Sequence, residues 1–401
     1  MKRRKYFGIE HNVFFSGLTS FLTDTSTKMV YSIMPLFLLS IGASKTTISA
    51  IEGIAESTAS LVKIISGSWS DRIKASKPFM IVGYSLTAIV TPIYYFATIP
   101  LHVLLLRFTE RAGKGFRAAP RDSLISKSVT HNETGKSFGF HKAMDNCGAI
   151  VGPFLAFIFL FYLHLDYKTI FLLATIPAIL GVIAIFIFIR EKHIVINTLD
   201  KQTSNKIPFH KLPKKYYWFL FIIFIFTLGN STDALLIIKT TETGIDKALI
   251  PFIYMIINLV SGLLAIPVGR LSDKIGREKF IIPGFFIYAV VYFLFGMFND
   301  IRIFIPLFVL YGLYSGLADG NQKAMISDLT GKDLRGTGYG IYHAVLGITL
   351  LPASLIAGLL YDKVNSSAPF YFGAIMALLA AILMIIFTLS NKITDEKTII
   401  N

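Results

Sequence analysis

The 401-residue chain holds one cysteine, Cys147, and two tryptophans. A single thiol excludes an internal disulfide framework and any cysteine-based metal site, and Cys147 reads as a small apolar packing residue. Charge is scarce as well. Asp, Glu, Lys and Arg make up 16% of the residues, where a soluble chain carries about 25%. No glycine-rich loop of the phosphate-cradling kind occurs, so nothing supports ATP drive within the chain. No metal cluster or nucleophile–base pair stands out, so no enzyme, metal or resident cofactor is expected.

What the chain has instead is apolar length. Apolar residues make up 54%, Phe alone numbers 35, and the mean hydropathy is +0.62. A membrane span needs roughly 20 mainly apolar residues. Twelve stretches qualify, near 12–40, 46–69, 78–98, 101–126, 138–162, 168–189, 216–238, 247–268, 280–298, 302–327, 337–360 and 368–390. Only helices satisfy the backbone in lipid at such lengths, so the expected fold is an all-α membrane protein of twelve transmembrane helices. The basic N-terminus MKRRKYFGIEHNVFF runs into the first span without a small-residue cleavage site, which is not the pattern of a removed signal peptide. The longest connection, 190–215, is polar and lysine-rich. It divides the chain into an N-terminal half (1–189), a central linker and a C-terminal half (216–401).

A net charge of +15 raises nucleic acid as a partner, and the placement of the charge removes it. With both termini cytoplasmic, about 27 of the 39 Lys and Arg fall in cytoplasmic tails and loops and about six in the opposite loops. The remaining six lie within spans: Lys28, Lys63, Arg107, Arg111, Lys114 and Lys142. Trp69 and Trp218 fall at span ends, where interfacial aromatics belong.

The halves repeat. GSWSDRIKASK at 67–77 matches GRLSDKIGREK at 269–279, and SFGFHKA at 137–143 faces TGYGIYHA at 337–344. Two parallel six-helix repeats across a central loop resemble the major facilitator superfamily. That resemblance implies alternating access around a central cavity lined by spans 1, 4, 7 and 10. Gly67, Asp71 and Arg72 resemble the family's signature loop between helices two and three, although Lys74 replaces its second glycine. The second copy, with Gly269, Asp273, Gly276 and Arg277, fits better. The resemblance implies a latch that holds one access state. On the fifth span, Gly148, Gly152 and Pro153 resemble the antiporter motif of the family, with Ala156 in place of a later glycine, and imply a packed seal found in proton antiporters.

The densest charge is RFTERAGKGFRAAPRD, 107–122, on the fourth span. At 100° per residue its seven charges share an arc of roughly 140°. Arg107 aligns approximately with the family's arginine on helix four, and Arg111 stands where a glycine is usual. A charge at mid-membrane costs roughly 2.5–3.5 kcal/mol, so these groups are expected to face a wet cavity or paired carboxylates. Glu52 and Glu56 on the second span sit at the depths of Arg107 and Arg111. Asp24 and Lys28 form an i, i+4 pair in the first span, and Asp145 lies level with Lys114. The C-terminal half offers chiefly Asp233 and Asp319, with Lys323 lower.

The candidate proton-coupling residues are therefore Asp24, Glu56 and Asp145. The candidate cavity charges are Arg107, Glu110, Arg111, Lys114, Glu52 and Lys28, with internal ion pairing as the alternative for each. The expected function is proton-coupled secondary transport of a small organic solute, with efflux by antiport. The alternative is proton-driven uptake of an anionic solute: an organic acid, phosphate ester or carboxylate siderophore. The energy source is a proton gradient, the setting a bacterial cytoplasmic (inner) membrane, the partners a small molecule and the lipid bilayer, and the protein a monomer.

Overall fold

A run of apolar residues in lipid must satisfy its own backbone, and the computed structural model is built almost wholly of helices. It describes residues 5–73, 75–129, 133–191 and 212–400, apart from the side chains at 68, 71, 72, 332, 333 and 391–400. The Asp71 and Arg72 side chains of the first signature loop, and most of the central linker, thus lie outside the described residues.

A small hairpin, β1 (Lys5–Tyr6) and β2 (Ile9–Glu10), comes first. Glu10 then caps the next helix, accepting the Asn12 backbone N–H at 2.8 Å. The N-terminal half comprises α1 (His11–Ser40), α2 (Lys45–Ile73), α3 (Lys77–Ile93), α4 (Pro100–Ser128), α5 (Thr134–Phe161) and α6 (Tyr167–Phe188). In the C-terminal half, α7 (Lys214–Gly229) and α8 (Ala234–Thr241) form one span interrupted at 230–233. There follow α9 (Ile250–Ile275), α10 (Glu278–Met297), α11 (Ile301–Lys363) and α12 (Ala368–Ile400). The 63-residue α11 is two spans that turn at Gly331, whose φ of 68° and ψ of 175° are open to glycine alone.

Nine helical stretches among the described residues are long and apolar enough to cross a membrane on composition, and α1, α2 and α4 are not among them. These three carry most of the deep charges of the N-terminal half. They obtain from protein what lipid would deny them: 20 residues of α1 are buried, between α5 and α6 on one side and α4 on another. In the same half α4 also packs on α2 and α3.

Two seams join the halves. In one, α2 meets the 334–363 arm of α11, where Gly53 abuts Ser354 and Gly358 abuts Thr46 and Ser49. In the other, α5 meets α9, where Asn146 lies against Gly262. The sequence repeat maps α2 onto α9 and α5 onto the 334–363 arm, so each seam is the repeat image of the other. Cys147, expected as a packing residue, is exposed. It sits one residue before Gly148, about 100° around α5 from the face that packs on α1.

Candidate functional site

A cavity of about 610 Å³ lies between the halves. It runs from Lys28 in mid-bundle, past Glu56 and Lys114, to Lys63, Lys142, Lys323 and His343, and opens at the end that carries the α2–α3 and α9–α10 turns. The opposite end is closed. There α1 is buried without a break from Met29 to Leu38, and Tyr31 meets Tyr254 of α9 with ring centroids 5.6 Å apart. The Thr46 backbone N–H and hydroxyl both donate to Asp362, each at 2.7 Å.

The structure divides the charges that the helical arc had grouped. Arg107 is fully buried: its Nε and Nη2 bind Glu52 at 3.0 and 2.5 Å, and Nη1 binds Glu110 at 3.0 Å. The Tyr94 hydroxyl donates to the same Glu110 at 3.1 Å. Arg111 reaches Glu56 at 3.0 Å, and the Tyr31 ring lies against both guanidinium groups. Of the six expected cavity charges, only Lys28 and Lys114 line the cavity. Arg107, Glu110 and Glu52 are instead consumed in a sealed ladder between α2 and α4, and Arg111 continues it to Glu56 at the cavity wall. The reason is the buried geometry at Arg107, whose forked guanidinium stands between two carboxylates and satisfies itself without water.

The three carboxylates expected to carry protons do line the cavity. Glu56 is engaged by Arg111. Asp145 lies 3.7 Å from the His141 ring, with its other oxygen unpartnered among the described residues. The Asp24 carboxylate has no hydrogen-bond or ion-pair partner among the described residues. In particular it does not pair with Lys28, whose ammonium turns instead toward Tyr31 and Tyr254. Arg117, lower on the same arc of α4, is 4% exposed, stacked 4.3 Å from the Tyr84 ring and donating to Thr87 at 2.8 Å.

The cavity thus sits between two homologous bundles and is open at one end. A family model for the Major Facilitator Superfamily matches the chain over residues 16–238 and 219–399. The chain belongs to the major facilitator superfamily. It is a transporter by family and fold, not an enzyme. It is 34% identical over 387 residues to an uncharacterized MFS-type transporter of Methanocaldococcus jannaschii, covering 94% of this chain and 95% of that one. The multi-drug resistance efflux pump PmrA of Streptococcus pneumoniae is 26% identical over 78% of this chain and 80% of its own length. Among solved structures, a POT family transporter in complex with 5-aminolevulinic acid superposes with a TM-score of 0.80 at 14% identity, covering 96% and 98% of the two chains. A point mutant of the nucleoside transporter NupG gives 0.77 at 11% identity over 94% and 99%. These structural likenesses establish the fold.

Within that superfamily frame the second signature loop is assembled. Gly276, at φ 103°, ends α9, and Arg277 pairs with Asp273 and, at 3.3 Å, with Asp328 of α11. The loop therefore ties the α9–α10 turn to the 301–331 arm. In the first copy, Gly67 faces Ala119 of α4 at Cβ contact distance. A tie that sequence reading missed holds the same end. Glu191 accepts the Ser76 and Lys77 backbone N–H groups at 2.5 and 3.0 Å, capping α3 from the far side of α6.

The antiporter-like ridge packs α5 onto the polar stretch of α1. A Cβ on Gly148 would lie 2.5 Å from the Phe21 carbonyl, and one on Gly152 would lie 2.5 Å from the Thr25 carbonyl. Gly152→Leu is accordingly expected to cost about 1–3 kcal/mol or more by overpacking against backbone. Gly139→Leu, with open space at its Cβ, is expected to be near neutral. Thermal unfolding of the two purified variants checks the contrast, and equal midpoints would remove the ridge from the packing account.

The C-terminal lining was the less legible part. Asn230–Asp233 interrupts the seventh span, and the gap turns Asp233 into the cavity. Its carboxylate accepts the Tyr311 hydroxyl at 2.7 Å and that of Tyr254 at 3.3 Å. Asn230 donates to the Tyr314 hydroxyl at 3.0 Å. The available signal was GNSTD inside an apolar run, five residues that all favour caps and turns over helix interiors.

Proposed function

We propose that the protein is a proton-coupled secondary transporter that exports a small organic solute by exchange against protons, through alternating access of its two halves. The observation that carries this reading is Asp24, a carboxylate at the inner part of an open cavity with no partner among the described residues. Such a group can take up and release a proton as the cavity opens to either side. Asp145 supports it on the adjoining helix. The Gly148–Gly152 ridge backs both and leaves no gap between α1 and α5. That a relative is a multi-drug resistance efflux pump agrees with the direction. In this reading the positively charged turns and both termini face the cytoplasm of a bacterial cell, the protein works as a monomer, and the proton gradient is the sole energy source.

A second reading rests on a separate observation. Seven basic and five acidic residues line the cavity, and Lys63, Lys114, Lys142 and Lys323 have no ion-pair partner among the described residues. That surplus suits an anionic solute taken up together with protons.

The test uses proteoliposomes with a trapped pH dye and an imposed proton gradient, challenged with a panel of organic anions and lipophilic cations. Exchange moves protons against the solute, and co-transport moves them with it, so the sign of the pH change separates the readings. Lys114→Ala is expected to abolish the response to anions and to leave the response to cations. No proton movement with any solute would reject proton coupling.

A further inference from the structure

Lys28 is a cation at mid-bundle with a carboxylate one turn before it, yet it ignores that neighbour. Its helix is pressed from behind by α5: a Cβ on Gly152 would lie 3.1 Å from Lys28 Cβ. From that contact the side chain runs to the α9 side of the cavity, where its ammonium ends against Tyr254. Its Nζ lies 5.4 Å from the Tyr31 ring centroid and 5.7 Å from that of Tyr254. The two rings are 5.6 Å apart and inclined by 51°, so the ammonium has an aromatic face on two sides. Each contact is within the range where a ring quadrupole attracts a cation.

Behind Tyr254 stands Asp233, held by two tyrosine hydroxyls. Both hydroxyls donate, which fixes the orientation of the carboxylate. The interruption of the seventh span that exposes Asp233 is itself satisfied: Tyr288 donates to the Gly229 carbonyl at 3.0 Å. Aromatic faces backed by a fixed carboxylate recognise ammonium groups. Asp24 and Glu56 add negative charge on the α1 and α2 side, and Arg111 opposes it.

We propose that Asp233, Tyr254 and Tyr311, with Tyr31 opposite, form an ammonium-binding cage, and that Lys28 fills this cage to latch the halves together at the closed end of the cavity. The cage belongs mainly to the C-terminal half and its occupant to the N-terminal half. Opening the closed end must draw Lys28 out. The ligand class of the vacated cage is a small organic ammonium, which competes with Lys28 for the same place. None of this requires proton coupling.

The test is chemical rescue of purified protein in detergent, without any gradient. Thermal unfolding is followed for the wild type, Lys28→Ala, Lys28→Met and the double variant Lys28→Ala/Asp233→Asn. Each is titrated with ethylammonium chloride against sodium chloride of equal ionic strength. Removal of the lysine is expected to lower the midpoint, and ethylammonium is expected to restore a large part of it saturably in Lys28→Ala. The wild type, with its cage filled, and the double variant, without the carboxylate, are expected to show no such shift. Lys28→Met keeps the stem and serves if Lys28→Ala does not fold. An absent shift in both lysine variants overturns the cage, and so does an equal shift in all four proteins. Failure of the dye experiment above leaves this result untouched.

Discussion

Arg107→Ala is expected to destabilise the protein by about 3–5 kcal/mol, the cost of removing one partner from a buried ion network. Arg107 has no exposed surface, and its three hydrogen bonds are shared between Glu52 and Glu110, themselves 1% and 3% exposed. Without the guanidinium, two carboxylates remain in a dry space with the Tyr94 hydroxyl as the main donor to one of them. Arg107→Lys keeps the charge and loses the fork: its three donors radiate from one nitrogen, where Arg107 meets Glu52 and Glu110 with three separate nitrogens in a plane. It is expected to fall between the wild type and alanine. The triple variant Arg107→Met/Glu52→Gln/Glu110→Gln removes the desolvation cost together with the attraction, and is expected to recover most of the lost stability. Thermal midpoints and the yield of monodisperse protein measure the series. Transport adds a second readout: the network does not line the cavity, so the triple variant is expected to remain active once folded. A single alanine variant as stable as wild type would show that the carboxylates have other partners. Loss of transport in a stable triple variant would return these residues to the solute path.

The ladder also shows how far the sequence reaches. Twelve spans and a two-fold repeat were legible because lipid imposes a length on each helix and the repeat duplicates its loops. The charged arc of α4 was legible for a similar reason: the helix is continuous from Pro100 to Ser128, so 100° per residue holds through both glycines and Pro120. What the arc cannot encode is depth relative to a neighbour. Arg107 and Lys114 point to the same side of α4, yet Glu52 covers one and the cavity opens at the other. Gly115, packed on the Ala59 carbonyl, sets how closely α2 approaches, and nothing in the local sequence states where that contact ends.

Lys28 teaches the converse lesson. An i, i+4 carboxylate is a sound local partner on an isolated helix, but a tertiary site made of two aromatic rings and a distant acid takes the ammonium instead. Eighteen tyrosines in the chain gave no sign of which ones converge. The turn residues at 230–233 did give a sign of the span interruption, though hydropathy averaged over some twenty residues erases a four-residue gap.

Asp24→Asn is expected to reduce solute-driven proton flux to the level of empty liposomes, the largest functional effect of any single substitution. The argument is one of elimination by geometry. Glu56 is engaged by Arg111 at 3.0 Å, so its charge is already spent, and Glu56→Gln is expected to lower stability more than coupling. Asp145 has a histidine 3.7 Å away and one oxygen without a partner among the described residues, which leaves it a lesser share, and Asp145→Asn is expected to retain partial flux. Among the described residues Asp24 is the cavity carboxylate without a side-chain partner, and it sits where the Gly148 contact holds α1 against α5. Asparagine matches its volume and hydrogen-bonding reach, so solute binding is expected to persist while proton movement stops. The measurement is the trapped-dye assay with whichever solute of the panel moves protons, paired with solute counterflow at equal pH on both sides. Counterflow retained and proton flux lost places the coupling at Asp24. Wild-type proton flux in Asp24→Asn rejects that assignment. Loss of both reassigns Asp24 to the binding of the solute itself.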